Sequence, residues 1–288
     1  MPFAQAVPQS PGWQPLVSNN QQENIFKDYL EYLNVSTLEE ARNVSFAQAQ
    51  LANIMQVGAS PYGLFTYGPT VDGDFTPALP GVLLLHGQYD KSLRVMVGHN
   101  ADEGLLFTSP FAQNDSALHT ELLGALPTLA GLPDQVNYIL NTLYPPIFDG
   151  SQAQGYTNQI ARTAALESEL IFTCNTFYLD KAFGNKTHSY LFNIPPAIHG
   201  QDIPYTYYTG VNQTAASGSV MYPAVAIAMQ DYITSFAETG NPNEEGVPYF
   251  PIYGPNATIQ VLNTTSIFQM KDPAANYRCN YWQRAIYY

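Results

Sequence analysis

Between Asn24 and Asn53 the apolar residues fall at helical spacing: Phe26, Leu30 and Leu33, then Leu38 after a Ser36/Thr37 start signal, then Ala47, Leu51 and Ile54. Two or three helices fit this stretch. From Pro61 to Pro80 the pattern is lost around VDGDF, with proline or glycine at both flanks, and irregular chain is expected. Leu93 to Gly98 (LRVMVG) is a short apolar run closed by glycine, the signature of a buried parallel strand. Residues 117–184 read as mostly helical, with breaks at Pro127, Pro133 and Pro145-Pro146. Ser189 to Ile194 alternates as a strand that Pro195-Pro196 terminates. Tyr222 to Thr239 predicts a long helix closed by Gly240 and Pro242, and Thr258 to Leu262 a last strand. Strands separated by long helical segments make this an α/β protein with a parallel sheet, and residues 1–288 read as one domain or part of one.

Composition removes several classes of function. The chain holds 10 basic against 23 acidic residues, a formal charge of −13, and so repels phosphate backbones and anionic lipid; nucleic acid is not an expected partner. The longest apolar candidate, Val220 to Met229, falls short of the roughly 18 residues a membrane span needs, and no integral membrane association is expected. The opening MPFAQAVPQSPGWQP lacks the basic and apolar regions of a secretory signal. Yet seven Asn-X-Ser/Thr sequons, at Asn34, Asn43, Asn114, Asn185, Asn212, Asn256 and Asn263, exceed the roughly three expected by chance and favour a secreted glycoprotein. Secretory features without a signal suggest that an N-terminal portion is missing. Two cysteines, Cys174 and Cys279, exclude a disulfide scaffold and leave open two buried thiols or one bridge.

In open α/β sheets the reactive groups lie beyond the carboxyl ends of strands. The loop after the first strand reads GHNADEG and offers Glu103, beside Asp102 and before a glycine that would let the backbone turn; the loop after Ser189–Ile194 reads PPAIHGQDIPY and offers His199. A carboxylate that orients an imidazole, and an imidazole that takes a proton from a nucleophile, are two parts of a triad. Acid before base is the α/β-hydrolase order. No Gly-X-Ser-X-Gly elbow precedes them, and Ser10 and Ser18 lack flanking glycines. The alternative for both residues is a solvated surface group. His86-Gly87 lies too close before Glu103 to be an oxyanion loop, His99 reads as a surface histidine, and His119 and His188 as solvent-exposed ones. The five histidines show no metal-ligand spacing. Asp202 could pair with His199 or bond its own loop, and the 21 tyrosines could line a sugar cleft, although packing explains most of them.

Six segments in order then resemble the type-B carboxylesterase and lipase family, which includes the cholinesterases, and within it the secreted fungal lipase-like members. AQAVPQSPG resembles the strand and turn after the nucleophile helix, VDGDFTPALP the mid-chain loop, GHNADEG the acid loop, HGQDIPYTYYTG the His loop, FAETGNPN a helix end, and YRCNYWQ the C-terminal Cys-containing helix. The resemblance implies the C-terminal part of an α/β-hydrolase domain, without the first strands, the nucleophile elbow and the oxyanion glycines. In the family's arrangement the nucleophilic serine falls a short way upstream of Met1, so it is expected to be absent from residues 1–288. The resemblance further implies Glu103 as triad acid, His199 as base, a Cys174–Cys279 disulfide, no cofactor, and a small ester or lipid as substrate of the secreted full-length protein. Without its nucleophile the chain is expected to be inactive alone. Two rivals stand beside the esterase: a non-catalytic cholinesterase-like binding or adhesion module, which would need neither Glu103 nor His199, and a two-carboxylate glycoside hydrolase, for which no convincing second acid accompanies Glu103.

Overall fold

The computed structural model describes residues 2–13, 19–64, 66–210 and 220–287. The chain runs β1 (Gln5–Ala6), α1 (Asn19–Leu33), α2 (Leu38–Arg42), α3 (Phe46–Ala59), α4 (Pro80–Leu85), β2 (Arg94–Asn100), α5 (Asp115–Ala125), α6 (Pro133–Tyr138), α7 (Gln159–Glu167), α8 (Cys174–Ala182), β3 (His188–Asn193), α9 (Ile203–Thr206), α10 (Pro223–Thr239), β4 (Thr258–Asn263), β5 (Ile267–Lys271) and α11 (Tyr277–Gln283).

The sheet order is β1-β2-β3-β4-β5, parallel through β4, with β5 folded back as an antiparallel edge. β2 and β3 are buried on both faces, which is why β2 reads as an unbroken apolar run. The alternation in β3 has another cause than a wet face: the Ser189 hydroxyl donates to buried Asp180 at 2.5 Å. Burial pushes the Asp180 carboxyl up to about 8, against the opposing Ser189 and Thr187 hydroxyls. His99 and His188, expected at the surface, are buried strand residues, and each ring Nδ1 lies 2.9 Å from a backbone carbonyl, of Asn100 and Pro251 respectively. Residues 267–271 form a strand that the pattern does not predict; their side chains are mostly exposed, and no apolar periodicity marks them.

Helices cover both faces of the sheet. On one side Leu191, Ile259 and Val261 pack with Phe172, Tyr144 and Trp282 of the α5–α8 and α11 layer. On the other, Met96, Tyr190 and Phe192 meet Val225, Met229 and Phe236 of α10, which ends at Gly240 in the left-handed region (φ 77°). Cys174 and Cys279 are bridged, joining α8 to α11 with 5.0 Å between Cα atoms. The helical stretch from α7 to α8 is continuous but widens at Ser168–Thr173 into a π-turn.

The Asn24–Asn53 pattern resolves into three helices, two of them opened by capping boxes, Thr37/Glu40 and Ser45/Gln48. The facing of α3 departs from expectation: Leu51 and Ile54 are 57% and 59% exposed, with neighbouring Met55 at 48%, while Ala52 and polar Gln56 are buried. Gln56 is accommodated because its amide donates to the Ile25 carbonyl at 2.8 Å. Residues 66–79 form only turns and bends, as their composition requires.

Candidate active site

β2 and β3 are neighbours, so their carboxyl-end loops emerge side by side, and a bridge between Asp102 and Ile198 ties them together. Asp102 N–H donates to the Ala197 carbonyl at 2.9 Å. Glu103 opens a 3₁₀ turn ending at Leu106, and its side chain is fully buried. A buried carboxylate needs donors on its lone pairs. Oε1 accepts from Ser10 Oγ at 2.6 Å and from the Asn100 backbone N–H at 2.5 Å, with the Asn100 amide at 3.2 Å; Oε2 meets His199 Nδ1 at 2.6 Å. Burial alone would raise this carboxyl; the bonds from His199, Ser10 and Asn100 outweigh it and hold its pKa below the usual carboxylate value. Glu103 is therefore ionised at neutral pH.

An ionised carboxylate only accepts, so the imidazole nitrogen facing it carries the proton. That leaves Nε2 as the basic nitrogen of His199, whose side chain is 30% exposed. The ring is seated by Phe172 and Phe107, with centroids 4.4 and 5.2 Å away. Phe172 comes from the π-turn, and so does Ser168, whose hydroxyl accepts the Gly104 N–H at 2.8 Å. Gly104 serves this approach rather than a sharp turn: a Cβ there would lie 2.1 Å from the Ala164 carbonyl oxygen and 2.6 Å from Ser168 N.

The sequence offers Ser10 only as a nucleophile without flanking glycines, and the structure gives it another place. It sits in the left-handed region at φ 49°, held by its N–H to the Gly98 carbonyl at 2.8 Å. Its hydroxyl bonds the acid, not the base, so it orients Glu103. The one sequence signal for this is its place in the QSPG turn just past β1. Ser18 lies outside the described residues, as does Met1, the residue upstream of which the nucleophilic serine is expected.

Asp202 is neither a partner of His199 nor a local loop-bonding group, because it lies buried against distant residues. It accepts from the Asn100 amide and the Tyr190 hydroxyl, both at 3.2 Å, and Tyr190 is met in turn by the Gln9 amide at 3.0 Å. Burial raises the pKa of Asp202, with the Glu103 charge adding to this. His86 and His119 are exposed and stand apart from the pair. Among the described residues, Glu169, Cys174 and Cys279 come close enough together to suggest metal ligands, but both sulfurs are in the bridge and Glu169 is held by Arg278. Of the sequon asparagines, Asn34, Asn43, Asn114 and Asn256 are exposed, Asn185 and Asn263 partly so, and Asn212 lies outside the described residues.

A model of the Carboxylesterase family matches residues 2–282. The chain is 34% identical to Carboxylesterase patB of Penicillium expansum over 285 residues, 98% of this chain and 49% of that protein. It is 28% identical to a Secreted lipase of Arthroderma benhamiae over 246 residues, 84% of this chain and 44% of the lipase. The fold matches the crystal structure of Aspergillus niger EstA with a TM-score of 0.79 at 22% identity, covering 98% of this chain and 58% of EstA. The architecture is thus that of the α/β-hydrolase fold. The chain spans about half the length of the curated relatives it matches.

Proposed function

We propose, since the chain belongs to the carboxylesterase family, that Glu103 and His199 are the acid and base of a Ser-His-Glu triad in a carboxylic ester hydrolase. The observation that carries this is the 2.6 Å contact between a fully buried, ionised Glu103 and His199 Nδ1. Such a pair fixes the tautomer, so that Nε2 removes the proton of a serine attacking an ester carbonyl and later delivers it to the departing alkoxide. The carboxylate stabilises the imidazolium in between. Ser10 and Asn100 hold the acid, and Phe172 and Phe107 hold the ring.

The nucleophile belongs, on this reading, upstream of Met1, in the half of the relatives' length that the chain does not span. Two features support this: the chain has no Gly-X-Ser-X-Gly, and Ser10 is committed to Glu103. The 288-residue chain alone should then be unreactive toward a fluorophosphonate probe and inactive on 4-nitrophenyl acetate. Extended upstream to the relatives' length it should label on a serine and turn over. Labelling of a serine within residues 1–288 would overturn the assignment.

We also read the protein as secreted and N-glycosylated. The excess of sequons, four of them with exposed asparagines, the Cys174–Cys279 bridge and the likeness to a secreted lipase support this. An N-glycan-specific amidase should lower the mass of the protein recovered from a secretory host; an unchanged mass would count against it.

A further inference from the structure

Where α11 lies against α8 and the C-terminal end of α4, the surface opens into a cleft of about 430 Å³, within the range of small-molecule sites. Three tyrosine rings line it. Tyr281 is buried, and its hydroxyl donates to Gln135 Oε1 at 3.0 Å, so its ring is fixed; Tyr138 lies 5.5 Å from it and is 41% exposed. Tyr277 is 55% exposed, and the Arg278 guanidinium lies over its ring at 5.3 Å. That guanidinium is itself held by Glu169 through two 2.7 Å bonds. The aromatic walls are therefore in place before any ligand arrives.

The same cleft is lined by Lys181 and Arg284, two of only ten basic residues in a chain of formal charge −13. Among the described residues the ion pairs are those of Arg42, Arg162, His199 and Arg278, and neither Lys181 nor Arg284 has one. The Lys181 ammonium donates to two neutral amide oxygens, of Asn280 at 3.0 Å and Gln283 at 3.2 Å. Partial burial, and then the Arg284 charge, hold its pKa below the usual lysine value. Both cations are exposed, Lys181 also lies over the Phe177 ring at 5.0 Å, and among the described residues no carboxylate pairs with either, so an anion entering the cleft would meet two positive charges.

We propose that this cleft binds an aryl carboxylate. A carboxylate matches a guanidinium and an ammonium in charge and hydrogen-bond geometry, and a flat ring attached to it would fill the space between the tyrosines. A bare phosphate would leave the rings unused, and a neutral sugar would leave both cations unanswered. A polyanion would meet the repulsion of the whole acidic chain.

The test is a titration of the intact protein with benzoate at constant ionic strength, followed by saturation-transfer NMR and by calorimetry, with inorganic phosphate as the comparison. Saturable benzoate binding is expected, at least tenfold tighter than phosphate. The double variant Lys181→Gln, Arg284→Gln should weaken it tenfold or more, because charge-assisted bonds are lost. Tyr277→Ala, at an exposed position, should weaken benzoate several-fold and leave phosphate unchanged. The absence of saturable binding, or full affinity in the charge variant at an unchanged melting temperature, would overturn the site. Phosphate binding as tight as benzoate would overturn the aryl assignment. No readout depends on ester turnover, so failure here is separate from failure of the triad.

Discussion

The Glu103 cluster and the α1–α3 segment are opposite solutions to placing polar and apolar groups. Around Glu103 an ionised carboxylate, an amide and a second acid are buried, and each is met by a partner from another part of the chain. In α3 the apolar stripe Leu51, Ile54 and Met55 faces out, and a buried position is given to Gln56. Burying polar groups is costly unless their bonds are made, and the first arrangement makes nearly all of them, only the Asn100 Oδ1 being left without a partner; such a buried polar cluster is what the proposed chemistry would need. The second shows that a regular apolar period makes a helix without saying on which side of it the core will lie.

The largest effect separating the two regions should come from Glu103→Gln in the extended, active protein. It removes the charge that stabilises the imidazolium, and kcat should fall by about 10³- to 10⁴-fold. A loss under tenfold would show the cluster to be structural. Next comes the bridge. Replacing Cys174 and Cys279 by serine opens a loop of 105 residues, worth up to about 4.7 kcal/mol in the chain-entropy model. Denaturant unfolding should record a loss of about 2–4 kcal/mol.

Ser10→Ala removes one charge-assisted bond to Glu103, so kcat should fall about tenfold with KM little changed. With one of its donors gone, the Glu103 carboxyl should also titrate higher, read by NMR on the labelled carboxyl. An unmoved carboxyl titration would mean that Ser10 only packs.

A smaller effect is readable as a slope. Burial first, then the Glu121 charge, push Glu167 up to about 8, beside the Thr108 hydroxyl that donates to it. A carboxyl raised in the folded state stabilises fully below its unfolded pKa, and that contribution is lost as pH rises toward 8. Glu103, held low, has the opposite sign: its contribution is present above the unfolded value and lost in acid. Asp180, also raised to about 8, acts with the same sign as Glu167, so melting temperature should decline between about pH 5 and 8, and Glu167→Gln should remove its share of that decline. The smallest effect should be that of Leu51→Gln or Ile54→Gln, within about 0.5 kcal/mol of the parent. A loss near 2 kcal/mol would mean that the stripe is covered in solution and erase the contrast.

That Glu103 and His199 lie in loops just beyond strands was legible because each follows a strand whose apolar run and terminal glycine or prolines mark where the chain leaves the sheet. The α/β order was legible for the same reason. Ser10 was not, since a hydroxyl to a carboxylate 93 residues away leaves no local pattern. Asp202 stands only three residues from His199, and nearness in sequence hid its real partners, Asn100 and Tyr190. His99 and His188 looked polar and exposed because sequence cannot show that each finds a backbone carbonyl inside the sheet. β5 was missed because an exposed edge strand has no reason to alternate.

The spacing of the site along the chain bears on how the molecule forms. Ser10 and Glu103 are 93 residues apart, and Glu103 and His199 are 96. Only β4 and β5 are joined by a short turn; every parallel pairing closes a long loop, and closing long loops is what slows folding. The hairpin is the one local pairing, and β3, β2 and β1 each join the sheet only by closing such a loop. The carboxylate meets its imidazole only when β2 and β3 are zipped, and meets Ser10 only when β1 is laid down. A misregistered sheet would therefore hold no assembled pair of Glu103 and His199.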